Sequence, residues 1–128
     1  MKKELQDKLF KEFDYMFRKR NLDMSQTCMC WGIETADGWF DLLYDLCTRI
    51  QVHINRHQEL KEFSVEQVKE KFGTLRFYTN NSDETIDKLI DEAEVKSGIT
   101  CETCGKPGKI KSTRGWLSCT CEECMEKN

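Results

Sequence analysis

Two Cys-x-x-Cys pairs near the end of the chain constrain its fold more than any other feature of the sequence. Cys101 and Cys104 form the first pair, and Cys121 and Cys124 form the second after sixteen intervening residues. Two pairs at this spacing are typical of a zinc site, because each pair can turn both of its thiolates onto one ion. Four thiolates complete a tetrahedron without an open position. The sequence therefore predicts one structural Zn²⁺ per chain.

Cys119 is a spare thiol beside the second pair. It can replace Cys121 as a ligand, but the two-residue gap between Cys121 and Cys124 favours Cys121. A disulfide framework is not expected for the eight cysteines, since the chain starts without the apolar leader of a signal peptide and contains no run of about 18 apolar residues. We expect a soluble cytoplasmic protein with no membrane contact, in a compartment where thiols stay reduced.

The remaining residues of metal-binding type are interpreted as structural. Cys28 and Cys30 form a Cys-x-Cys pair, for which we expect buried apolar thiols rather than a second metal site. Cys47 falls on an apolar helix stripe and is expected in the core. His53 and His57 are four residues apart on the same predicted helix, but no third ligand accompanies them, so we expect solvated helix residues.

Apolar residues at three- and four-residue spacing predict three amphipathic helices. The first spans residues 3–20 and the second residues 39–57, with Asp37 as its N-terminal cap. The third begins after Ser82 or Asp83, either of which can cap it, and ends at Gly98.

Residues 63–78 are rich in β-branched and aromatic side chains, which predicts a β-hairpin with its turn near Phe72-Gly73. The length of 128 residues suits one domain with a modest core. We therefore expect an α+β fold in which residues 1–98 form a main domain of three helices and a β-hairpin. Residues 99–128 form a small zinc-ribbon-like module that is packed on this domain or appended to it.

A basic segment between the two cysteine pairs is the main candidate for a binding surface. It contains no acidic residue from position 105 to 120, and Trp116 follows its four cations, which are Lys106, Lys109, Lys111 and Arg114. Such a segment can contact phosphates and stack on a base, or it can contact an acidic protein surface. A third interpretation is a solvated loop whose Trp116 packs on the zinc site or on the main domain.

Arg76 is a further candidate for partner binding. It lies between Leu75 and Phe77 in the predicted hairpin, so its side chain should face the opposite side of the sheet from these two. A structural ion pair with a carboxylate is the favoured role, and contact with an anionic ligand is the alternative.

Charge and motif content restrict the function classes. The net charge of -3 provides no global attraction to nucleic acid or to an anionic membrane. The sequence shows no nucleophile–base pair, no Gly-rich phosphate loop and no carboxylate pair that spacing singles out, so we do not expect an enzyme. Protein binding and nucleic-acid binding through the basic segment are the two remaining classes.

Several motifs together resemble a family of small proteins of tailed phages and prophages. They are Trp31-Gly32, Asp37-Gly38-Trp39, the run from Gln67 to Tyr78, the run from Cys101 to Gly108, and Gly115-Trp116. The segment Lys-Glu-Lys-Phe-Gly-Thr-Leu-Arg-Phe-Tyr is the most specific of these. The resemblance implies an accessory, non-structural phage protein of the host cytoplasm, and it brings no catalytic residue. We expect such a protein to bind and modulate a host protein, for example in a defence system.

Overall fold

The computed structural model describes residues 1–127, and Asn128 lies outside the described residues. The fold is α+β, as the sequence predicted, and it contains two small sheets. The helices are α1 (Lys3–Glu12), α2 (Phe40–Asn55), α3 (Glu84–Ser97) and α4 (Glu122–Lys127). The strands are β1 (Ile33–Glu34), β2 (Ser64–Lys71), β3 (Thr74–Asn80), β4 (Lys109–Thr113) and β5 (Trp116–Thr120). None of the described helices is long and apolar enough to cross a membrane.

Helix α1 is shorter than predicted, because it ends at Glu12 rather than near residue 20. Phe13 and Phe17 are still buried, but they lie in consecutive turns that lead into a 3-10 turn. Arg18 supports this bend, since its Nη1 donates to the carbonyls of Tyr15 at 2.9 Å and Phe63 at 2.7 Å. The three- and four-residue spacing of apolar side chains therefore continues beyond Glu12, although the backbone is no longer α-helical there.

The predicted caps of the other helices have different outcomes. Asp37 does not cap α2. Its Oδ1 instead accepts a hydrogen bond from the main-chain N–H of Lys2 at 2.7 Å, at the start of α1. Asp83 caps α3 as predicted, because its Oδ1 accepts from the N–H of Ile86 at 2.9 Å. Gly98 follows the last residue of α3.

Strands β2 and β3 form the predicted antiparallel hairpin, with Phe72 and Gly73 between them. Strand β1 pairs with β2 in parallel, so the sheet order is β1-β2-β3. Helix α3 covers the free edge of β3: Ser97 Oγ accepts from the N–H of Leu75 at 2.8 Å, and Glu94 Oε2 accepts from that of Phe77 at 3.3 Å. These contacts protect an edge strand that would otherwise be open to pairing.

The basic segment forms a second antiparallel hairpin, β4-β5, rather than the loop expected from the sequence. Cys119 on β5 belongs to the main hydrophobic core. The indole Nε1 of Trp39 donates to the carbonyl of Thr100 at 2.8 Å, and the N–H of Gly38 donates to the carbonyl of Glu102 at 2.6 Å. Residues 99–127 therefore pack on the preceding domain. Separate folding of the two parts stays a prediction.

Candidate metal centre and the surface around it

The structure brings together the four cysteines of the two Cys-x-x-Cys pairs, which are Cys101, Cys104, Cys121 and Cys124. Their Sγ atoms all lie within 4.8 Å of one another, and those of Cys104 and Cys121 are 3.6 Å apart. A tetrahedral ion with four bonds of about 2.3 Å to sulfur places the sulfurs about 3.8 Å apart. The cluster therefore has the size and donor chemistry of a four-thiolate metal site.

Main-chain hydrogen bonds shape each half of the cluster. In the first half, the N–H of Cys101 donates to the carbonyl of Lys106 at 2.7 Å, and the N–H of Gly105 donates to the carbonyl of Cys101 at 2.9 Å. Gly105 has a φ of 83°, a conformation that residues with a Cβ rarely adopt. In the second half, Cys121 immediately precedes α4, and the N–H of Cys124 donates to the Cys121 Sγ at 3.5 Å.

The thiols of the cluster differ in acidity. Burial opposes ionisation of Cys101, but main-chain N–H groups of Cys104, Cys121 and Thr103 outweigh it and lower the pKa of Cys101 to about 6. For Cys124, hydrogen bonding to Cys121 and burial together raise the pKa to about 12. The raised pKa of Cys124 conflicts with the four deprotonated thiols that a metal site requires. A bound metal ion removes this conflict, because it favours the deprotonated form of every ligand.

Cys119 lies outside the cluster, so the structure places Cys121 rather than Cys119 with the other three cysteines. Its side chain is fully buried in the main core, and burial raises the pKa of its thiol. Cys47 is also fully buried, as predicted, and burial raises the pKa of its thiol as well.

The expectation that Cys28 and Cys30 are both buried is wrong. Cys28 is exposed and Cys30 is half-buried. The 3-10 turn Met29–Trp31 explains the difference, because it places Met29 in the core and leaves the two flanking cysteines nearer the surface. The four-cysteine cluster is the only candidate metal group found among residues 1–127.

His53 and His57 are less solvated than expected, since both are half-buried. His53 Nε2 lies 2.8 Å from Asp83 Oδ2, which links α2 to the capping residue of α3. His57 lies beyond the end of α2, with its Nδ1 2.9 Å from the carbonyl oxygen of His53. The centroids of the two rings lie 4.3 Å apart, and the ring planes are tilted by 35°. This arrangement gives the histidines a structural role at the junction of two helices.

The basic candidates lie on and beside the second hairpin. Lys109 and Lys111 alternate onto one face of β4, and Arg114 lies in the tight turn between the strands. Trp116 follows this turn and is 79% exposed. It therefore does not bury itself on the cysteine cluster or on the main domain, as one interpretation held. We call these four residues the hairpin surface. Lys106 lies closer to the cluster and pairs with Glu123 at 3.3 Å.

Arg76 lies apart from the hairpin surface. It is half-buried and faces away from its buried neighbours Leu75 and Phe77, as predicted. It shares a cleft with Asp91 and Glu94, yet the ion pairs found among the described residues do not include it. Burial raises the pKa of Glu94, and the charge of Arg76 opposes that rise.

Three residues that sequence patterns did not single out as binding residues complete the surface near the hairpin turn. Lys71, Phe72 and Leu117 line a cavity of about 340 Å³ together with Arg114 and Trp116. We call this cavity the two-turn cleft, because it lies between the turn of the β2-β3 hairpin and the turn of the β4-β5 hairpin. The available signal was a Phe directly before the Gly of a tight turn, where Asn or Asp is usual.

Comparisons of this chain with known protein families, with characterised proteins and with solved structures found no match.

Proposed function

We propose that this protein is a zinc-containing accessory protein of a tailed phage that binds and modulates a host protein through the hairpin surface. The observation that carries the proposal is Trp116, whose side chain is 79% exposed on a hairpin anchored to the core through Cys119. Tryptophan is enriched at the centres of protein interfaces, where its large apolar ring gains most from burial by a partner. We place its action in the host cytoplasm and assign it no catalysis.

Zinc is the metal that we propose for the cluster, because four clustered thiolates at tetrahedral spacing suit Zn²⁺. Cys101 and Cys104 precede β4, and Cys121 and Cys124 follow β5. One ion held by all four residues would therefore close the base of the hairpin. The ion would supply rigidity rather than reactivity, since four protein ligands leave no position for water or substrate.

The charges around the hairpin favour a protein partner over nucleic acid. Lys109 and Lys111 line a cavity that Glu122 and Glu123 also line, so acidic groups accompany the lysines. A zinc ion with four thiolates adds a net charge of about -2 nearby. The chain itself carries -3. A nucleic acid would be attracted by the lysines at short range but repelled by the negative charge around them. A protein partner can instead place groups of opposite charge against both the lysines and the acidic groups.

The proposal is tested by identifying the host protein that the zinc-loaded chain retains and then reconstituting the pair from purified proteins. Replacement of Lys109, Lys111 and Arg114 together by Ala should abolish this retention without changing the zinc content. Replacement of Lys3, Lys61 and Lys88 by Ala is the matched control, because it removes the same charge from exposed positions elsewhere.

Nucleic-acid binding is measured in parallel at low salt with the same variants. The proposal predicts no measurable retention of single- or double-stranded nucleic acid by the wild type. Tight binding that weakens steeply with salt, and that the hairpin variant loses, would replace the protein partner with a nucleic acid, because phosphate contacts release counterions.

A further inference from the structure

The two-turn cleft is formed by two turns of the same kind. Phe72 and Gly73 have φ values of 56° and 88°, and Arg114 and Gly115 have φ values of 53° and 85°. Two consecutive positive φ angles are the mark of a type I′ turn, which joins strands tightly. The cleft walls therefore belong to two short, well-defined hairpin ends rather than to long loops.

Phe72 is a poor choice for stability at its position. A bulky residue with a Cβ is disfavoured at positive φ, where Asn, Asp or Gly is usual in this turn. Its side chain is also 63% exposed, so burial within the chain offsets little of that strain. A strained residue with an exposed aromatic ring points to recognition rather than to folding.

The cleft combines an apolar lining with a basic rim. Trp116 and Leu117 are 79% and 40% exposed and supply the lining with Phe72. Lys71 and Arg114 supply the positive charge. The one acidic lining residue, Glu70, is already engaged, because its Oε2 accepts a hydrogen bond from the N–H of Gly73 at 2.7 Å.

We infer that the two-turn cleft binds a short acidic segment of the partner protein, with one aromatic side chain between Phe72 and Trp116. Carboxylates on either side of this side chain meet Lys71 and Arg114. The inference rests on the proposed function and names the chemistry of the partner. The cavity of about 340 Å³ suits one large side chain. An Arg at the rim favours carboxylates, which it can bind through two parallel hydrogen bonds.

Fluorescence anisotropy with the zinc-loaded full chain tests the inference directly. The probes are three short labelled peptides: a central Phe with Asp and Glu flanks, the same Phe with Lys flanks, and a central Ser with the acidic flanks. The first should bind, and each change should weaken binding by about tenfold or more. Equal binding of the Lys-flanked peptide, or no binding of the acidic Phe peptide, would overturn the inference. So would tighter binding of a short single-stranded oligonucleotide.

Variants of the cleft separate recognition from folding. Phe72→Asn should raise the melting temperature, because Asn suits a positive φ, and should still lose the acidic peptide. Trp116→Ser should lose it too, whereas Trp31→Ser should keep it, since Trp31 is 61% exposed and lies outside the cleft. Wild-type peptide affinity in Phe72→Asn would contradict the inference.

The same variants distinguish failure of the inference from failure of the proposed function. If Phe72→Asn keeps the host partner while Trp116→Ser and the triple variant of Lys109, Lys111 and Arg114 lose it, the partner binds the hairpin surface beside the cleft and only the inference fails. If the wild type binds the acidic peptide through the cleft but retains no host protein, the proposed function fails and the chemistry of the cleft stands.

Discussion

Residues 1–98, the body, and residues 99–127, the module, keep their shape by different means. The body buries large apolar side chains from three helices and a sheet in one core. In the module, Ile99, Ile110, Trp116 and Leu117 are exposed, and the residues that are buried are Cys101, Cys119, Thr120 and Cys124. A small unit with so little apolar burial needs a metal or another staple. Because the ion would replace a core, the module can leave its apolar side chains free for a partner.

The joint between the two regions combines polar contacts with the burial of Cys119 in the main core. Trp39 is fully buried in the body, yet its indole N–H reaches the carbonyl of Thr100. Gly38 lies so close to the module that a Cβ would overlap the main chain of Cys101 and Glu102. The side chain of Glu102 also reaches back, since its Oε2 accepts from the N–H of Ala36 at 2.8 Å. These contacts and the burial of Cys119 in the main core together set the position of the module.

Cys104→Ser tests most severely whether the module, unlike the body, depends on the four-cysteine cluster. Loss of one ligand should unfold the module, because binding free energies of about 10–16 kcal/mol support small structural zinc sites. Hydrogen exchange should show lost protection over residues 99–127 with α2 still protected. Cys28→Ser is the control, since Cys28 is exposed and outside the cluster. Loss of all helical circular dichroism in Cys104→Ser would mean that the body depends on the module.

A second variant tests whether the body can be destabilised without a change in metal binding by the module. Ile50→Ala should lower the free energy of unfolding by about 2–5 kcal/mol, because Ile50 is fully buried and its replacement leaves a cavity. Zinc content, measured where the variant is still folded, should stay unchanged. Val52→Ala in the same helix is the control, since Val52 is 45% exposed. Zinc loss from folded Ile50→Ala would break the distinction between the two regions.

Trp39→Phe tests the contact between the body and the module. It keeps an aromatic ring but removes the hydrogen bond to Thr100 and part of a fully buried side chain, which together should lower the free energy of unfolding by about 1–3 kcal/mol. Chemical denaturation measures this change. In a double variant with Cys104→Ser the effect of Trp39→Phe should shrink, because the module no longer holds Thr100 in place. Full additivity would show that the joint does not couple the two regions.

The smallest effect concerns pH and the body alone. Burial raises the pKa of Asp83, but hydrogen bonds from His53 and from the Ile86 N–H, with the charge of His53, outweigh it and leave the pKa below its ordinary value. An acid with a lowered folded pKa stabilises the fold above its unfolded pKa, and this stabilisation is lost as the pH falls through the folded pKa.

Asp83→Asn should therefore be less stable than the wild type at neutral pH by about 0.3–1 kcal/mol, because Asn can still cap the helix but carries no charge. The difference should disappear in acid, as followed by denaturation at several pH values. A difference that does not change with pH would mean that the charge of Asp83 contributes nothing.

Local patterns in the sequence were sufficient for much of the fold. The apolar stripe of α2, the Asp83 cap of α3 and the turn at Phe72-Gly73 all depend on residues close together in the chain, and all three were predicted. The end of α1 was not predicted, because residues that lie in consecutive turns can keep the apolar spacing of a helix. Strand β1 has no such local signal, since it forms through a pairing with β2 that joins Ile33 to Val68.

The same difference between local and long-range features applies to the candidate site. Ligand spacing is local, so the four cysteines, and Cys121 rather than Cys119, were predicted from the two Cys-x-x-Cys pairs. The two-turn cleft was not, because it requires the turns at Phe72 and at Arg114 to meet in space. The strands β4 and β5 were missed because their apolar side chains do not alternate with polar ones as in a half-buried strand.

The metal content of the purified protein tests directly whether the four clustered cysteines hold one zinc ion. Elemental analysis of protein prepared without chelator should give about one zinc per chain, because one complete four-thiolate set is present. Cys101→Ser, which removes one ligand, should lower this content, whereas Cys28→Ser should not. A wild-type protein with no zinc, with iron in its place, or with two zinc ions per chain would contradict the account.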